Sequence, residues 1–398
     1  MNLPKGWDRV AMNTLGSVQA GRQRSPHHIA GELHPYLRVA NVQDGWIDLR
    51  DVKVMAFTDK EAAIYELRAG DILLSEGQSL ELVGRPAIYL GDIPRCCFQN
   101  TLVRLRPDGN EPDFVFYVCQ YLYRLGVFQR IAKQTTSIAH LGVSRFGEVT
   151  TLVPPLLEQR KIASILSAWD EALTKLDALI KAKERQKKAL MQQLLFDKSR
   201  LKKFNSDWKT CCFGDALEFN PRVTRKPNAP FLSAGIRSHG RGVFLKHGFV
   251  PGDIALDELF ELKAGDLVVN ITFAWEGAAA IVPVEADGAL VSHRFPTFVF
   301  REKAAVSFFR HYILTKRFVF DCGLASPGGA GRNRVLSKSA FLDAELRLPS
   351  IEEQQRIGEI LDTSAEEIRL LRAQRAAIDL HKRGLMQRLL TGQLRVPL

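Results

Sequence analysis

Long apolar runs are missing from this 398-residue chain. No stretch of about 18 or more apolar residues could span a bilayer, and the opening MNLPKGWDRV carries no charged-then-apolar leader. These absences predict a soluble, cytoplasmic protein without a membrane partner. Cysteine is scarce as well. The six cysteines stand at 96, 97, 119, 211, 212 and 322, two pairs of them adjacent, with no Cys-x-x-Cys and no histidine at ligand spacing. Neither a disulfide framework nor a zinc site follows from that pattern, and a reducing cytoplasm is the simplest setting. The Gly-x-x-x-x-Gly-Lys-Ser/Thr of nucleotide phosphate binding, the nucleophile elbow and the Asp/Asn-Pro-Pro-Tyr/Phe of amino-methyltransferases are also absent. The sequence therefore points away from catalysis and away from any metal or cofactor bound by the chain itself.

What the chain has is positive charge and a repeat. The net charge is +11, and +6 of it falls within residues 153–203, in a run that includes Lys181, Lys183, Arg185, Lys187, Lys188, Lys198, Arg200, Lys202 and Lys203. Such a run is either a solvated helix face or a surface for nucleic acid, and composition alone does not choose.

The repeat organises everything else. Residues 153–195, VPPLLEQRKIASILSAWDEALTKLDALIKAKERQKKALMQQLL, return 195 positions later as residues 348–390, LPSIEEQQRIGEILDTSAEEIRLLRAQRAAIDLHKRGLMQRLL, without a gap. Steps of four and three select one face of each copy. The first copy gives Ile162, Leu166, Trp169, Leu173, Leu176, Ile180, Lys183, Lys187, Leu190 and Leu194. The second gives Ile357, Leu361, Ser364, Ile368, Leu371, Arg375, Ile378, Lys382, Leu385 and Leu389. An apolar seam repeating every 3.5 residues is the pattern of a helix that winds around a partner helix. Pro154, Pro155 and Pro349 stand just outside the predicted starts, where a missing N–H costs nothing.

Charge decides how the two helices pair. Parallel packing in register would level Lys187 with Lys382 in a partly buried seam, which is unfavourable. Antiparallel packing sets Lys187 opposite Ser364, Lys183 opposite Ile368 and Arg375 opposite Leu176, and lays Lys382 as a cation over the Trp169 ring. The chain path agrees, because the intervening domain leaves the end of the first helix and must return to the start of the second. A rod from Ile162 to Leu194 spans about 50 Å at 1.5 Å per residue, on the order of 15 base-pair steps of B-DNA.

Around the helices lie two mixed α/β domains. In residues 1–152 the short β-like runs PYLRVANV, DILLSEG, RPAIYLG and NTLVRLR are separated by Gly, Pro and Asp, and a helical stretch, PDFVFYVCQYLYRLGVFQRIAK, comes after them. Residues 204–348 repeat the plan. Trp208 answers Trp7, ELKAGDLVVN answers ELRAGDILLS at the same offset of 195, and AAVSFFRHYILTKRFVFDCGL answers the helical stretch. The expected organisation is α+β: domain 1 at 1–152, a first long helix at 153–203, domain 2 at 204–348 and a second long helix at 349–398.

Basic, polar, aromatic-poor loops occupy comparable places in the two domains. In the first they hold Arg22 and Arg24, then Lys133, Gln134, Thr135, Ser137 and Arg145. In the second they hold Arg222, Arg225 and Lys226, then Arg332, Asn333, Arg334 and Lys338. Arginine reads guanine edges and glutamine or asparagine reads adenine, whereas lysine and threonine often hold phosphates. As a set at matched positions these are the candidate DNA contacts. A competing set, Asp253 with Glu261 and Lys263, imitates the carboxylate-carboxylate-lysine arrangement of metal-dependent nucleases. Its frame recurs in the first domain as Glu66-Leu67-Arg68, before another Ala-Gly-Asp, and a frame shared ahead of a strand reads as a turn. His27-His28 and the PGGAGRNR stretch likewise read as loops.

With these residues in view the chain resembles the specificity (S) subunits of type I restriction-modification systems, over essentially its whole length. The helix entries carry the resemblance most specifically: Pro154-Pro155-Leu156-Leu157-Glu158-Gln159-Arg160-Lys161-Ile162-Ala163 and the looser Pro349-Ser350-Ile351-Glu352-Glu353-Gln354-Gln355-Arg356-Ile357-Gly358. The Leu-Met-Gln-x-Leu-Leu exits at 190–195 and 385–390 are similar too, as are the runs at 35–42 and 67–73. The second domain departs from the pattern with PFLSAGIRSHGRGVF. The resemblance implies two target-recognition domains, each reading one half of a split, asymmetric site in double-stranded DNA, with the antiparallel coiled coil setting the spacer. It implies two methyltransferase (M) subunits as partners, joined by nuclease-translocase (R) subunits. S-adenosylmethionine, ATP and magnesium would sit on those partners and none on this chain. The specificity partner of a fused restriction-methylation enzyme shares this layout.

Overall fold

The computed structural model describes residues 3–23, 31–134, 137–196, 201, 203, 204, 206–328 and 334–397. Two helices carry the repeat, Leu156–Leu194 and Ile351–Leu390. The chain divides into two compact units, residues 1–177 with 373–398 and residues 178–372. Each unit is thus one α/β domain together with half of each long helix.

In the first unit Asp8–Ala11 pairs antiparallel with Thr150–Val153, bringing the start of the domain to the entry of the long helix. A four-stranded antiparallel sheet runs in the order Gly16–Ala20, Leu102–Pro107, Ile72–Ser75, Pro86–Ile88. The helix Pro112–Arg124 covers it, burying Phe114, Val115, Val118 and Cys119 in one core with Ile162, Leu166, Met386 and Leu389 of the long helices. A three-stranded sheet, Lys53–Phe57, Glu32–Leu37 and Cys97–Phe98, lies alongside. The domain core and the helix ends are therefore one hydrophobic body, which is why the helix does not depend on its own propensity alone.

The second unit repeats these parts. Lys209–Cys212 pairs with Glu345–Leu348, and a four-stranded sheet runs Leu217–Phe219, Thr297–Phe300, Leu267–Val269, Ala279–Ile281. The side sheet is larger, with five strands: Val223–Arg225, Glu258–Glu261, Leu290–Val291, Phe231–Ile236 and Val243–Phe249. Phe213, Phe298, Phe308, Phe318 and Phe341 fill its main core against Leu194, Ile357 and Leu361.

Both helix entries use one device. Gln159 accepts a hydrogen bond from the Glu111 backbone N–H at 3.0 Å and donates to the Pro154 carbonyl at 3.0 Å. Gln354 accepts from the Ala305 N–H at 2.9 Å and donates to the Pro349 carbonyl at 3.0 Å. Glu111 and Ala305 each cap the N-terminus of a domain helix, so the glutamine of the Glu-Gln motif satisfies an otherwise unpaired end while tying the long helix to its domain. Glu158 is fully buried, taking the Trp7 indole N–H at 3.0 Å and a bidentate Arg395 guanidinium at 2.8 and 2.9 Å. Gly358 permits a close approach in the second unit, because a Cβ there would lie 2.4 Å from Ser307 Oγ and 2.7 Å from the Ser307 backbone carbon.

The ELRAGDILLS and ELKAGDLVVN frames are turns. Gly70 at φ 92° and Gly265 at φ 90° take the left-handed conformation, and the adjacent Asp71 and Asp266 bind Arg106 and Arg222. Lys263 of the nuclease-like set is held by Asp287 at 2.9 Å, while Asp253 lies in a short turn, Pro251–Asp253. Each domain's single expected helical stretch is instead two helices. The first breaks between Pro112–Arg124 and Val127–Ile131, where Gly126 has φ 70°; the second breaks before Lys316–Leu324, which Thr315 caps by accepting from the Phe318 N–H.

The long helices pair antiparallel within each unit. In the first, Asp170 meets Lys382 and, seven residues on, Asp177 meets Arg375, seven residues back. In the second, Lys183 meets Glu367 and Glu184 meets Arg372. Ile162, Leu166, Leu173, Leu176, Ile180, Ile357, Leu361 and Ile368 are buried, and Trp169, Leu371, Ile378 and Leu385 are partly buried. One expectation fails. Lys382 does not lie over Trp169; its ammonium is 2.5 Å from Asp170 Oδ1 and 5.3 Å from the centre of the Tyr117 ring. A carboxylate beside the seam offers a full charge where an indole offers only a quadrupole. Arg375 and Lys183 behave alike, each choosing the acid next to the seam residue expected opposite it.

Candidate nucleic-acid interface

The loops singled out in the sequence are built into a recurring pair. In the first domain Lys133–Gln134, Ala139–His140 and Gly77–Gln78 form a small three-stranded sheet, so the 133–140 loop lies against the loop that leaves strand Ile72–Ser75. The Leu141 N–H donates to the Glu76 carbonyl at 3.0 Å. In the second domain the Leu336 N–H donates to the Ile271 carbonyl at 2.9 Å. Both donor and acceptor are displaced by 195 positions, so duplication has preserved the bond that closes the loop pair, although the loop sequences have diverged.

Within the first pair Lys133, Gln134 and Ser137 are exposed. His140 Nδ1 is 3.1 Å from Glu76 Oε2. Arg145 supports the loop from beneath: its Nη2 donates to the His140 carbonyl at 2.8 Å, and its guanidinium packs on Gly142. It therefore holds the presented residues in shape and is itself only partly exposed.

In the second pair Arg334 stacks over the Trp275 ring at 5.8 Å, and Trp275 Nε1 donates to the Thr272 carbonyl at 3.1 Å. Lys338, exposed at the start of helix Lys338–Asp343, has its ammonium 4.2 Å from the Phe219 ring centre. These loops looked aromatic-poor because the rings come from distant segments. A cation seated on a ring keeps its charge while losing side-chain freedom, which suits a preformed anion-binding surface.

Three expected contacts have internal employment instead. Arg22 is buried, donating to Glu61 Oε1 at 2.8 Å and to the Ala56 carbonyl at 2.5 Å, with its guanidinium over Phe57. Arg222 is paired with Asp266, and Lys226 donates to the Ile254 carbonyl at 2.9 Å. Arg225 is exposed on a strand facing Glu258 in register. Arg24, Thr135, Arg332 and Asn333, with His27 and His28, lie outside the described residues.

Sequence reasoning missed the partner loop of each pair. In the second domain it holds Thr272, the exposed Phe273 and Trp275, with the exposed Arg294 reaching Thr272 Oγ1 at 3.5 Å. A legible signal existed: two aromatics in a turn, ITFAWEG, directly after a strand that is itself fully buried. Among the described residues no group of three or more His, Cys, Asp or Glu side chains could hold a metal ion, and no helix is long and apolar enough to cross a membrane.

Comparison with known proteins adds independent findings. The model of the family described as type I restriction modification DNA specificity domain matches residues 4–184 and again 205–380. The MjaX specificity subunit of Methanocaldococcus jannaschii is 25% identical over 379 residues, covering 91% of this chain and 88% of that protein. The type I restriction enzyme MjaVIII specificity subunit of the same organism is 24% identical, covering 100% of this chain and 95% of that one. Among solved structures, a chain from work on assembly and conformational transition of the type I R-M system aligns with TM-score 0.62 at 16% identity, covering 99% and 100% of the two chains. The type I S subunit from M. genitalium aligns with TM-score 0.57 at 15% identity, covering 98% of each.

Proposed function

Because this chain belongs to the type I restriction modification DNA specificity family, matched once in each half, we propose that each of its two loop pairs reads one half of a split, asymmetric site in double-stranded DNA. The chain is a specificity subunit and not an enzyme. The observation that carries the finer reading is the duplicated Leu141–Glu76 and Leu336–Ile271 bond, which holds diverged polar loops on a common scaffold. Scaffold retention with loop divergence is what two readers of different sequences need.

In this reading Lys133 and Lys338 hold phosphates, Gln134, Ser137 and Arg334 face base edges, and Arg145 positions its loop. Arg22, Arg222 and Lys226 act inside the domains. The antiparallel helices set the spacer between half-sites and, with adjoining domain surfaces, carry two methyltransferase subunits, which nuclease-translocase subunits join in the cytoplasm. Those partners bind S-adenosylmethionine, ATP and magnesium. The basic run ending at Lys203 serves the partners or the phosphates of the spacer.

Lys133→Ala and Lys338→Ala, each in the coexpressed methyltransferase complex, test the contacts. Each is expected to weaken DNA binding about equally across sequences and to reduce the slope of log affinity against log salt by about 1. Unchanged affinity and slope in both would remove the loop pairs from the interface.

A further inference from the structure

The two domains carry different side chains on one equivalent hairpin. In the first domain Val42 bridges to Ile47, and the turn between them is Gln43-Asp44-Gly45-Trp46, anchored by the Gly45 N–H on the Pro86 carbonyl at 3.1 Å. In the second domain Ile236 pairs with Val243 at the end of strands Phe231–Ile236 and Val243–Phe249, and the turn between them is Arg237-Ser238-His239-Gly240-Arg241-Gly242. The offset of 195 sets Val42 on Arg237 and Ile47 on Gly242, so the two turns are equal in length, and Arg237, His239 and Arg241 stand where the first domain has Val42, Asp44 and Trp46. Arg237, His239 and Arg241 are all exposed.

The turn of the second domain is held at its tip. Arg237 N–H donates to the Gly242 carbonyl at 3.0 Å and closes the loop. His239 N–H reaches the Glu276 carbonyl at 2.8 Å, Gly240 N–H reaches the Gly277 carbonyl at 3.0 Å, and Ser238 Oγ donates to Glu276 Oε2 at 2.8 Å. Glu276 adjoins Trp275, the ring under Arg334, so the hairpin is fastened to the loop pair described above. His239 sits at φ 62°, a left-handed conformation unusual for a residue with a Cβ, and these bonds sustain it. Gly240 follows at φ 64°, a left-handed conformation that favours glycine. The Arg237 guanidinium rests 4.9 Å from the Phe244 ring centre. A solvated loop has no need of this many restraints, whereas a group that reads base edges must be held in place before it meets them.

We propose that residues 237–242 form a base-reading turn in the second domain, with Arg237 and Arg241 as the residues that specify a guanine in its half-site. An arginine guanidinium matches the O6 and N7 acceptors of guanine, and residues 42–47, the counterpart turn of the first domain, contain no arginine. The proposal rests on the DNA-reading function of the domains and adds which residues set one half of the specificity.

The test uses the full chain coexpressed with its methyltransferase partner, with methylated positions mapped across a genome. Three forms are compared: wild type, the double variant Arg237→Ala with Arg241→Ala, and a graft that replaces residues 237–242 by residues 42–47 of the first domain. The wild-type motif is expected to contain a G·C pair in the half-site assigned to the second domain. Both variants should lose discrimination at that pair by about tenfold or more while the other half-site stays intact. Unchanged discrimination in the double variant overturns the proposal, and so does an even loss of methylation at every site, which would mark a phosphate or partner contact. A wild-type complex with no split motif would instead overturn the DNA-reading premise, so the two failures are distinguishable.

Discussion

Lys382 on the second long helix buries its ammonium against Asp170 on the first, 2.5 Å from Oδ1, while the Tyr117 hydroxyl donates to Asp170 Oδ2 at 2.8 Å. Domain helix and both coil strands thus meet at one carboxylate. At the position 195 residues earlier, Lys187 is half-buried and its pKa is lowered, first by burial, against which Asp362 acts, while Arg372 adds to the lowering. Asp362 is already engaged by Arg310 Nη1 at 2.8 Å and His311 Nε2 at 2.9 Å. The same lysine therefore stands in two opposite electrostatic situations.

Substituting each lysine separates them. Lys382→Met removes the partner of a half-exposed carboxylate and should lower stability by about 1–2 kcal/mol. Lys187→Met removes a charge that burial disfavours and leaves Asp362 its other partners, so it should be neutral or stabilising, with a change of about 0.5–1 kcal/mol at most. Urea unfolding of the full chain checks both; equal destabilisation would contradict the distinction.

His311 makes the second unit sensitive to acid. Burial holds its pKa below the ordinary 6.5, the Lys187 charge lowers it further, and Asp362 opposes both. Below pH 6.5 the unfolded chain takes up a proton that the folded chain resists, so stability falls as pH drops from 6.5 towards the folded pKa. Position 116, its counterpart in the first domain, is phenylalanine and does not titrate. His311→Gln should flatten the dependence of the unfolding midpoint between about pH 6.5 and 5. An undiminished slope in the variant would assign the effect to other groups.

The helices were legible because a 3.5-residue seam and a 195-residue offset are properties of side-chain order alone. Their antiparallel sense came from Lys187 and Lys382. The preference of Lys382 for Asp170 over Trp169 was harder to see, since it depends on Tyr117 reaching the coil from a domain. The loop pairs were half legible. Polar residues at 133–137 and 332–338 announced themselves by composition, whereas Phe273 and Trp275, in the turn ITFAWEG, were passed over. Arg22 shows the converse: a basic residue in a loop-like run proved to be a buried support, because Glu61, the Ala56 carbonyl and the Phe57 ring converge on it from later segments.

A spacer role for the helices makes a metrical prediction. Inserting one heptad near Ala182 preserves the seam and adds about 10 Å of helix, close to three base-pair steps. The methylation motif of such a complex should keep both half-sites and accept a longer gap between them; recovery of the original gap would detach the spacer from the helices.

The central claim, that each domain reads its own half of one split site, is tested most directly by exchanging residues 204–348 for the second domain of another specificity subunit and mapping methylated adenines genome-wide in the coexpressed complex. The account predicts a split motif in which one half-site changes and the other, with the spacer, is retained. A motif altered in both halves, or left unchanged, would contradict it.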